Sequence, residues 1–527
     1  MLWLLVISAV SLFLYYKIIK PLSYWKDRGI VYKKPLPLLG NSSVLLLQQK
    51  PFFEYVRDVY NQFPNERYVG VHQFTKPALF VRDPDLIKEI TVKNFDHFAD
   101  HNDVIPDDVE PLLSKNLMNL KGQRWRDVRA TLSPSFTSSK MKMMFVLVSE
   151  CAQRVSEYFE KQKEDLLQLE VKNAFSRFTV DVIASVAFGF QCDSLKDPNN
   201  EFYRMGMSAT NFSKLRSLVF VLYSVFPKLA QLLQVNLFPY AVTSFFYRIV
   251  KETIQLRERE GLVRPDMIHL LLEARKGKEV HDAHETTVDA SFAAVEESKV
   301  HHIEKKRVEL TNEDITAQAL IFFFAGFETT STTASFLFHE LAMNSSAQEK
   351  LQKEIDAVLS DCNGKLTYEA LHKMKYMDMV VSETIRKWPP GFQTDRVCLR
   401  DFTIQPQNSL EKPLTIKKGT VITIPIVGVH YDPQYYPNPY KFDPERFNDE
   451  NKHNIKASAY IPFGSGPRSC IASRFALMEI KTLTFHLLSK FNVVPIPKTD
   501  IPLKLTTGIR FGARKGFWLG LRQRKAV

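Results

Sequence analysis

Cysteine is scarce in this chain: Cys151, Cys192, Cys362, Cys398 and Cys470 are the five among 527 residues. An odd number at wide, irregular spacing excludes a disulfide framework and indicates reduced thiols. There is no C-x-x-C pair and no histidine-rich spacing, so nothing indicates a zinc site. No internal repeat of roughly 20–50 residues is visible, which removes solenoid and propeller architectures. No shift in composition divides the chain into two globular units, although its length exceeds the ~100–200 residues usual for one domain. Basic residues outnumber acidic ones, 70 against 58, but they are dispersed and form no nucleic-acid-binding motif. Nucleic acid is therefore not an expected partner.

What the chain does have is apolar mass. Hydrophobic residues make up 45% and phenylalanine alone numbers 39, enough for one large, aromatic-rich core and too much for disorder on a domain scale. The N-terminal run from Leu2 to Ile19 is nearly all apolar and spans ~27 Å as a helix, about one endoplasmic-reticulum bilayer. Lys17, Lys20, Lys26, Arg28, Lys33 and Lys34 all follow that run, and no small-x-small cleavage site appears. The expectation is an uncleaved anchor over residues 1–20, with the bulk of the chain in the cytosol. A basic, proline-containing linker over 21–41 and one mostly helical domain over 42–527 complete it.

Alternation in "RYVGVHQFTKPALFVRD" predicts a hairpin, and "KPLTIKKGTVITIPI" adds strands later. Between Ser217 and Val250, Pro227 and Pro239 break an apolar stretch into short amphipathic pieces, readable either as core helices or as helices that dip into a membrane. Residues Arg275 to Leu310 are charged and weakly patterned and read as an exposed connector, with His301 and His302 as surface residues.

Three constellations carry chemistry. Thr311, with Asp314 three residues on, caps a long apolar helix whose middle holds Gly326, Glu328, Thr329 and Thr330. A mid-helix glycine costs about 1 kcal/mol against alanine, so glycine beside polar residues suggests a groove at a reaction site. The alternative is a threonine bonding back to its own helix with Glu328 at the surface. In "MVVSETIRKWPP", Glu383 and Arg386 share a helix face among apolar neighbours, which makes a buried ion pair the expectation. In "FGSGPRSCIASRF", Cys470 precedes a helix-like run; a cysteine at a helix N-terminus is held as thiolate, the metal-binding form. Gly464 and Gly466 would let the backbone approach a large flat ligand, and Arg468 would pair with a carboxylate. A buried inert thiol is the plainer reading of the same stretch.

Phe463-Gly464-x-Gly466-x-Arg468-x-Cys470 resembles the haem-ligand signature of cytochromes P450. Ala325-Gly326-x-Glu328-Thr329-Thr330, Glu383-x-x-Arg386 and Pro444-Glu445-Arg446-Phe447 resemble that family's other motifs, in its chain order. The stretches "FDHFADH" and "WRDVRATLSPSFTSSKMK" look most like insect microsomal members of the xenobiotic-metabolising clan. The resemblance implies a mainly α fold with small β-sheets, a single large haem domain behind a membrane anchor helix, and haem b as cofactor. It implies a monooxygenase that takes O2 and NADPH-derived electrons. NADPH–cytochrome P450 reductase and cytochrome b5 would be partners, the bilayer of the endoplasmic reticulum the location, and a small lipophilic molecule the substrate. Sequestration of lipophilic compounds, or peroxide isomerase or dehydratase chemistry on the same fold, is the alternative. By position, Cys470 would be the axial iron ligand, Thr329 and Glu328 would relay protons, and Trp125, Arg129, Arg396 and Arg468 would hold the haem propionates. Glu383, Arg386 and Arg446 would form the ion network that fixes the cysteine loop. Substrate contacts would come from Asn102–Leu120, Phe212–Phe226, Phe323, Gly391–Asp395 and Thr506–Ile509. Ala472 stands where the family usually has glycine.

Overall fold

The computed structural model describes residues 2–524 apart from 103–109, 211–215, 217, 220, 221, 224–226, 234, 235, 263, 265, 276–309 and 410. The connector expected between Arg275 and Leu310, with His301 and His302, lies outside the described residues. The helices that position the site are α1 (Leu2–Leu14), α2 (Gly122–Leu132), α3 (Ser138–Glu160), α4 (Val171–Ile183), α5 (Tyr240–Glu260), α6 (Asn312–Met343), α7 (Lys375–Lys387) and α8 (Ser473–Leu488). The sheets are small. One has the order β1 (Tyr68–Gln73), β2 (Lys76–Val81), β7 (Val421–Ile424), β4 (Thr394–Val397); a second joins β3 (Leu166–Glu170), β9 (Trp518–Gln523) and β8 (Phe491–Val494); the third pairs β5 (Phe402–Ile404) with β6 (Leu414–Ile416). The expected hairpin is β1–β2, with Tyr68 opposite Val81 and Gln73 opposite Lys76. β2 then runs parallel to β7, Ala78 opposite Val421, and β4 closes the sheet antiparallel to β7 with Arg396 opposite Ile422.

Helix α6 is the axis of the molecule. Thr311 forms a full capping box with Asp314: its hydroxyl accepts the Asp314 N–H, and the Asp314 carboxylate accepts the Thr311 N–H at 2.8 Å. The N-terminal half of α6, Ile315 to Phe327, belongs to one apolar cluster with α4 and α5 residues such as Ile183 and Phe246. Its C-terminal half, from Ala334 on, belongs to a second cluster with α3, α7 and α8. Between them lies the polar run Glu328-Thr329-Thr330-Ser331-Thr332-Thr333, at the seam of the two cores. Most hydroxyls of this polar run bond back or across, as Ser331 does to the Phe327 carbonyl at 2.6 Å and Thr333 to the Thr329 carbonyl at 2.8 Å, whereas the buried Thr330 Oγ1 does not.

Residues 21–41 are not a free joint. Trp25 is fully buried over Gly70, where a Cβ would stand 2.4 Å from its Cγ, and its indole N–H donates to the Val71 carbonyl at 2.9 Å. The segment's stiffness comes from docking on β1 as much as from its prolines. The helical, apolar segment Trp3–Ser23 has no buried residue among those described and is long enough to cross a membrane by length and composition. The stretch from Ser217 to Val250 divides between the two readings given above. Tyr223, Leu237 and Phe238 are buried, as the core reading has it, whereas Leu229, Leu232, Leu233 and Tyr240 are exposed, Leu232 by 79% and Tyr240 by 83%.

Candidate functional site

An apolar cavity lies between α6 and the loop that leads into α8. Ile321, Phe322, Ala325, Gly326, Thr329 and Thr330 line it from α6; Arg468, Cys470, Ile471, Ala472, Phe475 and Ala476 line it from the loop and α8. Trp125 and Arg129 from α2 and Ile183 from α4 complete the wall. Thr329 and Cys470, 141 positions apart in sequence and each in contact with this space, are brought to one site. Gly326 serves the packing as well as the groove: a Cβ there would stand 3.0 Å from Ile183 Cδ1.

The cysteine loop is rigid for identifiable reasons. Gly464 and Gly466 have φ of +81° and +76°, the left-handed region that costs glycine least. At Gly466 the missing side chain admits backbone: a Cβ would lie 1.9 Å from the Thr91 carbonyl oxygen. Gly464 has only Ser469 Cα nearby, at 3.8 Å, so its positive φ is its reason. Neither glycine, nor Phe463, borders the cavity. The Cys470 N–H donates to the Phe463 carbonyl at 2.9 Å, and α8 begins three residues later, with Ala472 at its N-cap. Ala472 has φ of −104°, so its backbone does not require glycine; the extra methyl faces the cavity.

Arg468 lines the cavity and is held by the protein around it. Its Nε donates to the Ala99 carbonyl at 2.7 Å, Nη1 to Leu117 and Met118 at 3.3 Å, and Nη2 to Leu120 at 2.7 Å and to Asp100 Oδ1 at 3.3 Å. All five guanidinium N–H groups are thereby engaged by the protein. The carboxylate it meets is that of Asp100, and it stacks over Trp125 with 4.0 Å to the ring. Burial lowers its pKa to about 9. Arg468 thus stitches Ala99, Asp100 and the segment 117–120 to the cysteine loop and contributes a positive field. Arg396 differs: it donates to Asp395 and Ser465 carbonyls, but its buried Nε has no partner, and it does not border the cavity directly. A soft sulfur donor, arginines and a tryptophan around an apolar slot suit a flat apolar ligand with carboxylate edges, and the orphaned Arg396 Nε offers one such carboxylate a donor. The residues present therefore fit a haem.

Glu383 and Arg386 form the expected pair with no exposure at all: Nε to Oε2 at 2.6 Å and Nη2 to Oε1 at 2.8 Å. Arg446 approaches Glu383 Oε1 at 3.5 Å, and the Asp443 N–H donates to the same oxygen. The link to the cysteine loop runs through His430, which sequence reasoning missed. Its Nε2 accepts the Ile461 N–H at 3.1 Å, so Nδ1 carries the proton and donates to the Arg386 carbonyl at 3.1 Å. Burial, with Arg386 beside it, lowers its pKa to about 3 and keeps it neutral.

Glu328 does not face the cavity. It turns toward α4, where Lys172 Nζ lies 3.2 Å from its carboxylate and donates to Ser331 Oγ at 2.6 Å. Thr329 does face the cavity while its hydroxyl donates to the Ala325 carbonyl. Of the expected substrate contacts, Leu117 and Met118 border the cavity; Phe323 is corrected, since it is buried among Phe202, Phe246 and Phe327 while its neighbours Ile321 and Phe322 line the space. His101, bonded through Nδ1 to Asp395 at 3.1 Å, also lines it and was not singled out from sequence.

A mainly helical chain with this cavity, in which a cysteine loop meets a glycine-threonine helix, has the plan of a haem-thiolate oxygenase. A model of the family Cytochrome P450 matches residues 32–517. Cytochrome P450 9e2 of Blattella germanica is 44% identical, with 99% of this chain and 98% of that protein covered; probable cytochrome P450 9f2 of Drosophila melanogaster is 41% identical, with 95% of each covered. Cytochrome P450 6k1 of Blattella germanica is 39% identical over 94% of this chain and 92% of its own. The chain belongs to the cytochrome P450 family. It is accordingly a monooxygenase with haem b as cofactor and with O2 and NADPH-derived electrons as co-substrates.

Proposed function

We propose that this protein inserts one oxygen atom of O2 into a small lipophilic molecule, foreign or endogenous, with the second atom leaving as water. Its electrons come from NADPH–cytochrome P450 reductase, with cytochrome b5 as a second donor. Residues 1–20 anchor it in the endoplasmic-reticulum membrane, residues 21–41 join the anchor to the sheet, and the catalytic domain of residues 42–527 faces the cytosol. The observation that carries the reading is that Cys470 and Thr329 line one apolar cavity.

Cys470 would be the iron ligand in this reading. Burial raises the thiol pKa of Cys151 to about 12 and those of Cys192 and Cys398 to about 11, which leaves them protonated and unsuited to bind metal. Haem, when bound, supplies the binding and cleavage of O2, with the thiolate favouring cleavage. Trp125, Arg129, Arg396 and Arg468 would hold its edge carboxylates, and Arg468 also adds charge and holds the surrounding segment. Thr329 presents its hydroxyl oxygen to the cavity and fixes a proton-passing group there. Glu328, held outside by Lys172, exchanges protons with solvent and reaches Thr329 only by leaving that ion pair. The apolar walls from Ile321, Phe322 and Phe475 exclude bulk water and select an apolar substrate. The test is NADPH consumption by membranes containing this protein and its reductase across a panel of lipophilic compounds, with product identified. Oxygenated product in proportion to NADPH supports the reading; tight binding of the same compounds with no product on any of them would reject it in favour of sequestration.

A further inference from the structure

The cavity has a lobe that the mechanism above does not use. Ser135 and Phe136 border it from the turn Ser133–Phe136 after α2, Met144 from α3, Met267 and Leu270 from the short helix Met267–Arg275, and Phe322 from α6. That short helix packs on α2, on α6 and on the turn Ala184–Phe188. Phe322 stands seven residues before Thr329, about 10 Å along α6. Its ring stacks on that of Phe136, with centroids 5.8 Å apart and planes 7° from parallel. Ser135 is the odd member of this lining: it is 8% exposed, and its Oγ is buried with no hydrogen-bond partner among the described residues. A buried hydroxyl left unmet in apolar company is costly. Water is a poor remedy, because a buried water needs roughly two to four polar partners. Among the described residues the lobe has one other polar side chain, Asp266, and it is spent: its two oxygens accept from the Arg257 guanidinium at 2.6 Å each, and Oδ1 also accepts the His269 N–H at 3.0 Å. An organic molecule brings its own apolar body to fill the space and needs to offer Ser135 only one oxygen.

We propose that this lobe is a second binding site, taking a small neutral molecule that has an apolar body and one alcohol or ketone oxygen, with Ser135 Oγ as its hydrogen-bonding anchor. The serine hydroxyl donates to a ketone and either donates to or accepts from an alcohol, so both oxygens satisfy it. Charged molecules are excluded, because Arg257 and Asp266 neutralise each other in a buried pair and leave no free charge among the described residues of the lobe. Met144 and Met267 are flexible and polarisable, so the site adapts to ligands of differing outline. The occupant needs neither the iron nor Thr329, and it bears on a substrate through their common wall, Phe322. The site goes beyond the monooxygenase reading: it requires haem in its place but no oxygenation.

The probe is trifluoromethylcyclohexanol, read by fluorine NMR on the purified ferric holoenzyme while phenylimidazole saturates the iron. One equivalent of the probe should still bind under that saturation. Ser135→Ala should weaken this binding about fivefold, the size of one neutral hydrogen bond, with haem content and the carbon monoxide spectrum unchanged. Trifluoromethylcyclohexane has no oxygen and should bind wild type and Ser135→Ala alike, which separates the hydrogen bond from packing. Met267→Phe, which fills the lobe, should abolish binding of both probes. No binding of the alcohol once the iron is saturated, as when the haem's own edge fills the lobe, overturns the proposal, and so does equal affinity for the alcohol in wild type and Ser135→Ala. Should Met267→Phe lose haem, the two probes on Ser135→Ala decide. A holoenzyme that binds the probe but oxygenates no compound would reject the functional reading and leave this site standing.

Discussion

Thr329 and Gly466 are where single atoms decide the outcome. Thr329 bonds back to Ala325 as any helical threonine can, yet it also faces the cavity, and the second fact gives the first a use: the bond fixes where the hydroxyl oxygen points. Thr329→Ala should leave haem content and substrate binding intact and divert NADPH electrons into hydrogen peroxide, read as product and peroxide per NADPH. An unchanged ratio would remove Thr329 from the mechanism. Gly466→Ala meets both a disfavoured φ and a backbone oxygen 1.9 Å from the new methyl, neither of which can yield. The cysteine loop must then separate from Thr91, and the expected result is loss of haem from most of the expressed protein, measured as haem per polypeptide. Gly464→Ala has room for the methyl and only the φ penalty, about 1–2 kcal/mol, so it should retain more haem.

At the scale of elements, the cysteine loop is held from two sides. Arg468 ties it to Ala99, Asp100, Leu117, Met118 and Leu120, and His430 ties Ile461, just before the loop, to the Glu383–Arg386 pair on α7. Removing one partner of a fully buried ion pair leaves an uncompensated charge and costs about 3–5 kcal/mol. Arg386→Leu is expected to lower stability by that amount and to lose haem with it, whereas the paired change Glu383→Leu with Arg386→Leu should recover part of the stability, measured by thermal unfolding. If the single variant unfolds like the wild type, the pair does not hold the loop. The motif Glu383-x-x-Arg386 was legible because both residues sit on one helix face. His430 was not, because its two bonds reach partners 44 and 31 positions away and no local pattern marks them. The same reason hid Lys172, 156 positions from Glu328. The hairpin, the Thr311 cap and the glycine-cysteine loop were legible because each is written within about ten residues. Phe323 and Phe322 show the limit from the other side: one position of helical phase, about 100°, separates core from cavity, and an all-apolar run does not encode it.

For the whole molecule, the described surface offers a second apolar region besides α1: Leu229, Leu232 and Leu233 on and just after the short helix Pro227–Leu232, with Tyr240 at the start of α5. Deleting residues 2–20 should leave protein that still floats with liposomes, and changing Leu229, Leu232, Leu233 and Tyr240 to serine in that truncated chain should abolish flotation with haem content intact, since these side chains support no core. A truncated chain that never floats rejects this contact. The account's centre is the claim that one thiolate, Cys470, serves the cavity as iron ligand, and the carbon monoxide difference spectrum of the ferrous protein tests it most directly. Wild type and the Cys151→Ser, Cys192→Ser, Cys362→Ser and Cys398→Ser variants should all give the thiolate-type band, and Cys470→His should move it to the histidine position. A thiolate band that survives in Cys470→His, or that vanishes with any of the other four, would contradict the account.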